Sequence, residues 1–144
     1  MNEVYRKAIL IGCPGTRGKH GNFLPGVKWD LLNMQRFLYS PRGGGWLLEE
    51  IVILRSPSWE QMFEVIYNAD VDYLLVYFSG HGYTRRLGGM EEGQYVEIDE
   101  RMLCINNVEA VPDLWLLNDR VPRQLVISDS CRSRPGLPSL EYLA

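Results

Sequence analysis

Four short stretches of the chain are apolar at most positions, and two longer ones are apolar at every third or fourth. The short runs are "KAILIG" at 7–12, "EIVILR" at 50–55, "VDYLLVYF" at 71–78 and "RQLVIS" at 123–128. Brief apolar runs bounded by Gly, Pro, Ser or Asp fit strands buried on both faces of a sheet. Between the first two, "VKWDLLNMQRFLY" at 27–39 sets Val27, Leu31, Met34 and Leu38 on one face of a helix. Between the second and third, "SPSWEQMFEVIYNA" at 56–69 predicts another helix, with Ser56 or Ser58 as its N-cap. The Gly- and Pro-rich segment 13–26 reads as a loop, and "SPRGGG" at 40–45 breaks the first helix.

The third run stops abruptly at Ser79-Gly80-His81-Gly82. The polar, glycine-containing stretch that follows, to about Gly93, reads as a flexible loop. Segments 95–98 and 102–105 predict a small hairpin around Asp99-Glu100, and Pro112 opens a turn of helix within 107–119. The tail 134–144 carries two prolines and no clear element, and no repeat or low-complexity segment is visible.

Strands that alternate with helices imply right-handed parallel crossovers and a sheet covered on both faces. Sites in such sheets lie beyond the carboxyl ends of the strands. Two residues with reactive side chains stand there: His81 after the third strand and Cys131 after the fourth. If those strands are neighbours, the side chains meet across one strand spacing of roughly 5 Å.

Composition narrows the function without choosing it. The chain has 144 residues, 46% hydrophobic and 23% charged, which suits one domain, 1–144. Its net charge of −3 offers no basic field for a nucleic acid. No apolar run is long enough to span a bilayer, and the N-terminus lacks the pattern of a secretory signal, so the expected location is cytoplasmic and off the membrane. Three cysteines without close pairs argue against a disulfide framework; Cys13 and Cys104 read as small buried hydrophobes. With two histidines and no Cys-x-x-Cys, a structural zinc site has no support.

A thiol beside an imidazole points to nucleophilic catalysis. The imidazole accepts the thiol proton and later protonates the leaving amine. Gly82 lets a backbone N–H approach the substrate, and with the N–H of Cys131 it would form an oxyanion hole.

"YFSGHG" and "DSCRS", with Cys131 fifty residues after His81, resemble the histidine and cysteine motifs of the caspase-like peptidases. The likeness is greatest to metacaspases and their bacterial relatives, which carry a Ser-Gly-His-Gly turn and an Asp-Ser-Cys-x-Ser-Gly loop. Arg134 stands where that glycine would be. The resemblance implies a three-layer α/β sandwich with a mostly parallel central sheet, helices on both faces, and C-terminal strands absent from this chain. It also implies a pocket for a basic residue, with Asp129 of "DSC" and Asp30 of "LPGVKWD" as its carboxylates. Two carboxylates near the nucleophile favour a cationic side chain by Coulomb attraction and bidentate bonding to guanidinium. The expected substrate is a peptide or protein cut after Arg, then Lys.

Self-cleavage sites of that type are available at Arg85, Arg86, Arg132 and Arg134. No cofactor is required by the residues; calcium enters only by resemblance, since some metacaspases need it. Glu91, Glu92, Glu97, Asp99 and Glu100 fit no EF-hand loop and read as a solvated charged face. The fourth strand is expected to keep an unpaired edge. A separate small-subunit-like chain from processing or in trans, a truncated chain, or a homodimer would account for it. Two other functions stay open: a catalytically weak caspase-like regulatory or binding module, and a zymogen-type subunit of a bacterial defence or signalling assembly activated by proteolysis.

Overall fold

Residues 3–130 are described by a computed structural model of the chain. Strands β1 (Arg6–Cys13), β2 (Ile51–Arg55), β3 (Tyr73–Gly80) and β7 (Arg123–Ser130) form one sheet in the order β2-β1-β3-β7, and every neighbouring pair is parallel. The two predicted helices, α1 (Gly26–Tyr39) and α2 (Trp59–Tyr67), are the crossovers.

Alternation along the strands sends one side chain set to each helix. Ile9, Ile11, Leu74, Val76 and Phe78 pack with Met62 and Ile66 of α2. Ala8, Leu10, Leu75 and Tyr77 pack with Leu31 and Leu38 of α1. The helices therefore cover opposite faces, and the three-layer α/β sandwich expected from the sequence is present.

Local chemistry fixes the helix ends. The amide of Gln61 donates to Ser58 Oγ at 3.1 Å, so Ser58 rather than Ser56 caps α2. Ser56 instead turns the chain out of β2 with φ +45° and donates its N–H to Gly12 O. At the other end of α2, fully buried Asn118 donates Nδ2–H to Ile66 O at 2.9 Å. Gln124 of β7 exchanges two hydrogen bonds with the Asn118 backbone, which ties α2 to the last described strand.

The region after His81 departs from the sequence reading. The stretch expected as a flexible loop is strand β4 (Gly82–Glu91), and it pairs along its length with β5 (Gln94–Cys104). The hairpin turn is Glu92-Gly93, and both residues have positive φ (51° and 79°), as a two-residue type I′ turn requires. Asp99 and Glu100 lie in mid-strand opposite Arg86 and Arg85. β6 (Ala110–Pro112) completes an antiparallel sheet β4-β5-β6, and a 3-10 turn follows at Asp113–Leu116, with Pro112 before it as expected.

β7 is the outer strand of the parallel sheet among the described residues. Its α1-side positions Leu125 and Ile127 remain 46% and 37% exposed, while Val126 packs into the α2-side core. An apolar groove of about 800 Å³ runs past these residues toward Phe37 and Trp46, at the end of the sheet away from His81.

Candidate active site

The carboxyl ends of β3 and β7 lie side by side. Gly80 pairs with Ser130, so His81 and Cys131 each follow a paired position on adjacent parallel strands. Cys131, Arg132 and Arg134 themselves lie outside the described residues.

His81 is the single residue between β3 and β4. The residue before it must be glycine, because a Cβ at Gly80 would lie 2.7 Å from Cys13 O and 2.9 Å from the Phe78 ring. The Cys104 N–H donates to His81 O at 2.9 Å, which anchors the turn from β5. That bond makes Gly82 and Leu103 a non-hydrogen-bonded pair. The Gly82 N–H therefore points away from β5.

The imidazole is held from a different element. His81 Nε2 lies within hydrogen-bond distance of Asn22 O, in the loop between β1 and α1. A carbonyl only accepts, so Nε2 is the donor of this bond, and Nδ1 is the ring nitrogen left for an exchange of protons. The loop is shaped for this contact: Asn22 Oδ1 accepts the Thr16 N–H at 2.9 Å, and Leu24 N–H donates to Pro14 O. Gly15 sits beneath Asn22 at φ +87°, where a Cβ would collide with the Asn22 side chain. Asn22 was not singled out in the sequence; a backbone carbonyl has no side-chain signature.

Beside this turn lies a cavity of about 300 Å³, lined by Leu24, Pro25, Asp30, Ser79 and Asp129 among others. α1 supplies Asp30, half-buried, whose Oδ2 accepts the Ser79 hydroxyl at 2.7 Å. β7 supplies Asp129, directly opposite Ser79 in the ladder. The structure thus brings Asp30 and Asp129 to one cavity next to the histidine. Sequence reasoning missed two hydroxyls here: Ser79 in the cavity wall and Tyr77 close behind it. Ser79 was read as part of the turn. Tyr77 was read as core, yet burial, and then the charges of Asp30 and Asp129, push its phenol up to about 12. Tyr77 therefore stays a neutral hydroxyl beside the two carboxylates.

Arg85 and Arg86 are not in a loop. Arg85 pairs with Glu100 at 2.7 Å, and Arg86 with Asp99 at 3.0 Å and Glu97 at 3.3 Å. A bond after either arginine must leave its strand pairing before it can be cut. The same pairs engage Glu97, Asp99 and Glu100 of the charged face expected from the sequence. Among the described residues no three His, Cys, Asp or Glu converge as a metal site. The backbones of Cys13 and Cys104 both adjoin the turn, and burial, then the neighbouring Cys13 thiol, pushes the Cys104 thiol up, which keeps it protonated.

A family model of the caspase domain matches residues 5–142. The chain belongs to the caspase domain family of cysteine peptidases. The match spans both sheets, both helices and the segment that contains Cys131. No curated protein matches the chain. No helix is long and apolar enough to cross a membrane among the described residues.

Proposed function

We propose that this caspase-family chain is a cysteine endopeptidase that cuts after Arg, and less well after Lys. The observation that carries the reading is the placement of Asp30 and Asp129 on either side of Ser79, in a cavity adjoining the His81 turn. A guanidinium entering that cavity meets two carboxylates and can bond at least one of them bidentately. An aspartate side chain would meet only repulsion.

In the proposed reaction, His81 Nδ1 takes the Cys131 thiol proton while Asn22 O holds Nε2–H and orients the ring. The thiolate attacks the carbonyl carbon of the basic residue. The Gly82 and Cys131 N–H groups receive the developing oxyanion. The imidazolium returns its proton to the leaving amine, the C–N bond breaks, and a thioester remains. Water, deprotonated by the same imidazole, hydrolyses it and releases the free thiol. No metal enters these steps. The reading includes a cytoplasmic location and a small-subunit-like partner that covers the β7 face where Leu125 and Ile127 are exposed.

Paired fluorogenic peptides ending in Arg and in Asp test the reading, with Cys131→Ala as the blank. Cleavage of the Arg peptide alone, lost in the variant, is expected. Cleavage of the Asp peptide would keep the nucleophile and remove the acidic pocket. Silence toward both would favour a regulatory module.

A further inference from the structure

The start of α1 separates two clefts of opposite charge. Pro25 and Val27 line the acidic cavity on one side, and they also line a cleft of about 500 Å³ on the other. This second cleft is bounded by Arg17 of the β1–α1 loop, Lys28 of α1 and Arg55 at the end of β2, and no Asp or Glu lines it. In a chain of net charge −3, three cations without a carboxylate are a local reversal of sign. Among the described residues none of the three forms an ion pair. Two of them contact rings instead: the Arg17 guanidinium lies 4.1 Å from the Phe23 ring centroid, and Lys28 Nζ 5.9 Å from that of Trp29. Those contacts leave the outward N–H donors available, and Trp29 is 57% exposed at the rim.

We infer that this cleft binds an acidic side chain of the peptide substrate, on the carboxyl side of the bond that is cut. The inference rests on the peptidase reading above, and its direction follows from the sheet order. The nucleophile follows β7 and the histidine follows β3. The leaving amine takes its proton from His81, so the chain beyond the cut departs on the side of β3 remote from β7. That side is β1 and then β2: Arg17 lies in the loop that follows β1, and Arg55 ends β2. Two to three strand spacings of about 4.8 Å separate β7 from this cleft. An extended peptide covers that span in about three or four residues at ~3.4 Å each. The preferred substrate therefore has Arg in the acidic pocket and Asp or Glu at the third or fourth position after it. A substrate with Lys or Arg there is repelled.

The test uses the full-length Cys131→Ala protein and fluorescein-labelled peptides with one Arg followed by three Glu, three Gln or three Lys, read by anisotropy. The same series is then cut by the unsubstituted protein and read as kcat/KM. The Glu peptide is expected to bind about tenfold more tightly than the Gln peptide at low salt, with the margin falling in 0.5 M NaCl. The double variant Lys28→Glu, Arg55→Glu is expected to invert the order in favour of the Lys peptide; both side chains are exposed, so the fold is not at stake. Equal behaviour of Glu and Gln peptides, or an order that the double variant does not move, overturns the cleft. Cleavage after Arg with no acidic preference leaves the peptidase reading standing without it. Tight, salt-sensitive binding of the Glu peptide with no cleavage of any peptide does the reverse.

Discussion

Ser79 donates its hydroxyl to Asp30 at 2.7 Å, from a strand position directly opposite Asp129. One β3 side chain thus fixes a carboxylate from α1 beside a carboxylate from β7. Asp30→Asn keeps the shape and removes one charge. It is expected to lower kcat/KM on an Arg peptide by about ten- to a hundredfold, the scale of a charge-assisted hydrogen bond. Most of the loss should appear in KM. Steady-state kinetics on matched Arg and citrulline peptides check this: the preference for Arg should shrink, and an unchanged preference would place the specificity elsewhere.

The Asn22 carbonyl orients the imidazole, and the Asn22 side chain shapes the loop that presents it. Asn22→Ala leaves the carbonyl in place but frees the Thr16 amide. The variant is expected to lose about tenfold in kcat with KM little changed, since the ring then samples orientations that do not accept the thiol proton. Gly15→Ala should act in the same direction, because it forces a side chain into the space that Asn22 occupies.

Tyr77 provides a spectroscopic reading of the pocket. Its phenol is held up to about 12 by burial and by Asp30 and Asp129. Below the ordinary tyrosine value of about 10, folded and unfolded chains both keep the proton, and no stability is lost. As pH rises from there to about 12 the unfolded phenol ionises first, so this residue's contribution falls away across that window. The difference in phenolate absorbance between the unsubstituted protein and Tyr77→Phe should appear only near pH 12, and earlier when Asp30 and Asp129 are both replaced by Asn.

The paired state of β4 makes a prediction for proteolysis. Brief trypsin treatment should leave the bonds after Arg85 and Arg86 intact, because both residues are in the β4–β5 ladder and ion-paired across it. Gly93→Val, which strains the left-handed turn position at φ +79°, should speed cleavage at both by roughly the population of opened hairpin, about tenfold for ~1.4 kcal/mol. Mass spectrometry of the early fragments reads the outcome.

The parallel sheet and its two helices were legible because burial on both faces leaves unbroken apolar runs, and each helix carries a single stripe. The caspase-family match agrees with the motifs around His81 and Cys131. The hairpin was not legible. Gly88 and Gly89 read as loop, but Gly88 sits where a Cβ would collide with the Tyr95 hydroxyl, so the tyrosine covers the glycine within the ladder. Its turn uses Glu-Gly instead of the Asn-Gly or Asp-Gly that signals a type I′ hairpin. In the site, Asp30 and Asp129 were found through the family resemblance. Ser79 was read only as part of the turn and Tyr77 only as core, because what stands opposite a hydroxyl in a buried strand is not written in its own segment.

Gly80 leaves no room for a side chain between β1 and β3. A methyl group there would press on the Cys13 carbonyl and the Phe78 ring, and the strands would have to part. Parting them would move the histidine turn away from the loop that holds the imidazole. It would also disturb the register with β7, which sets how the turn stands against the end of that strand. Substitution at this one position is therefore felt as a change in the distance between elements, and activity should fail there well before the fold does.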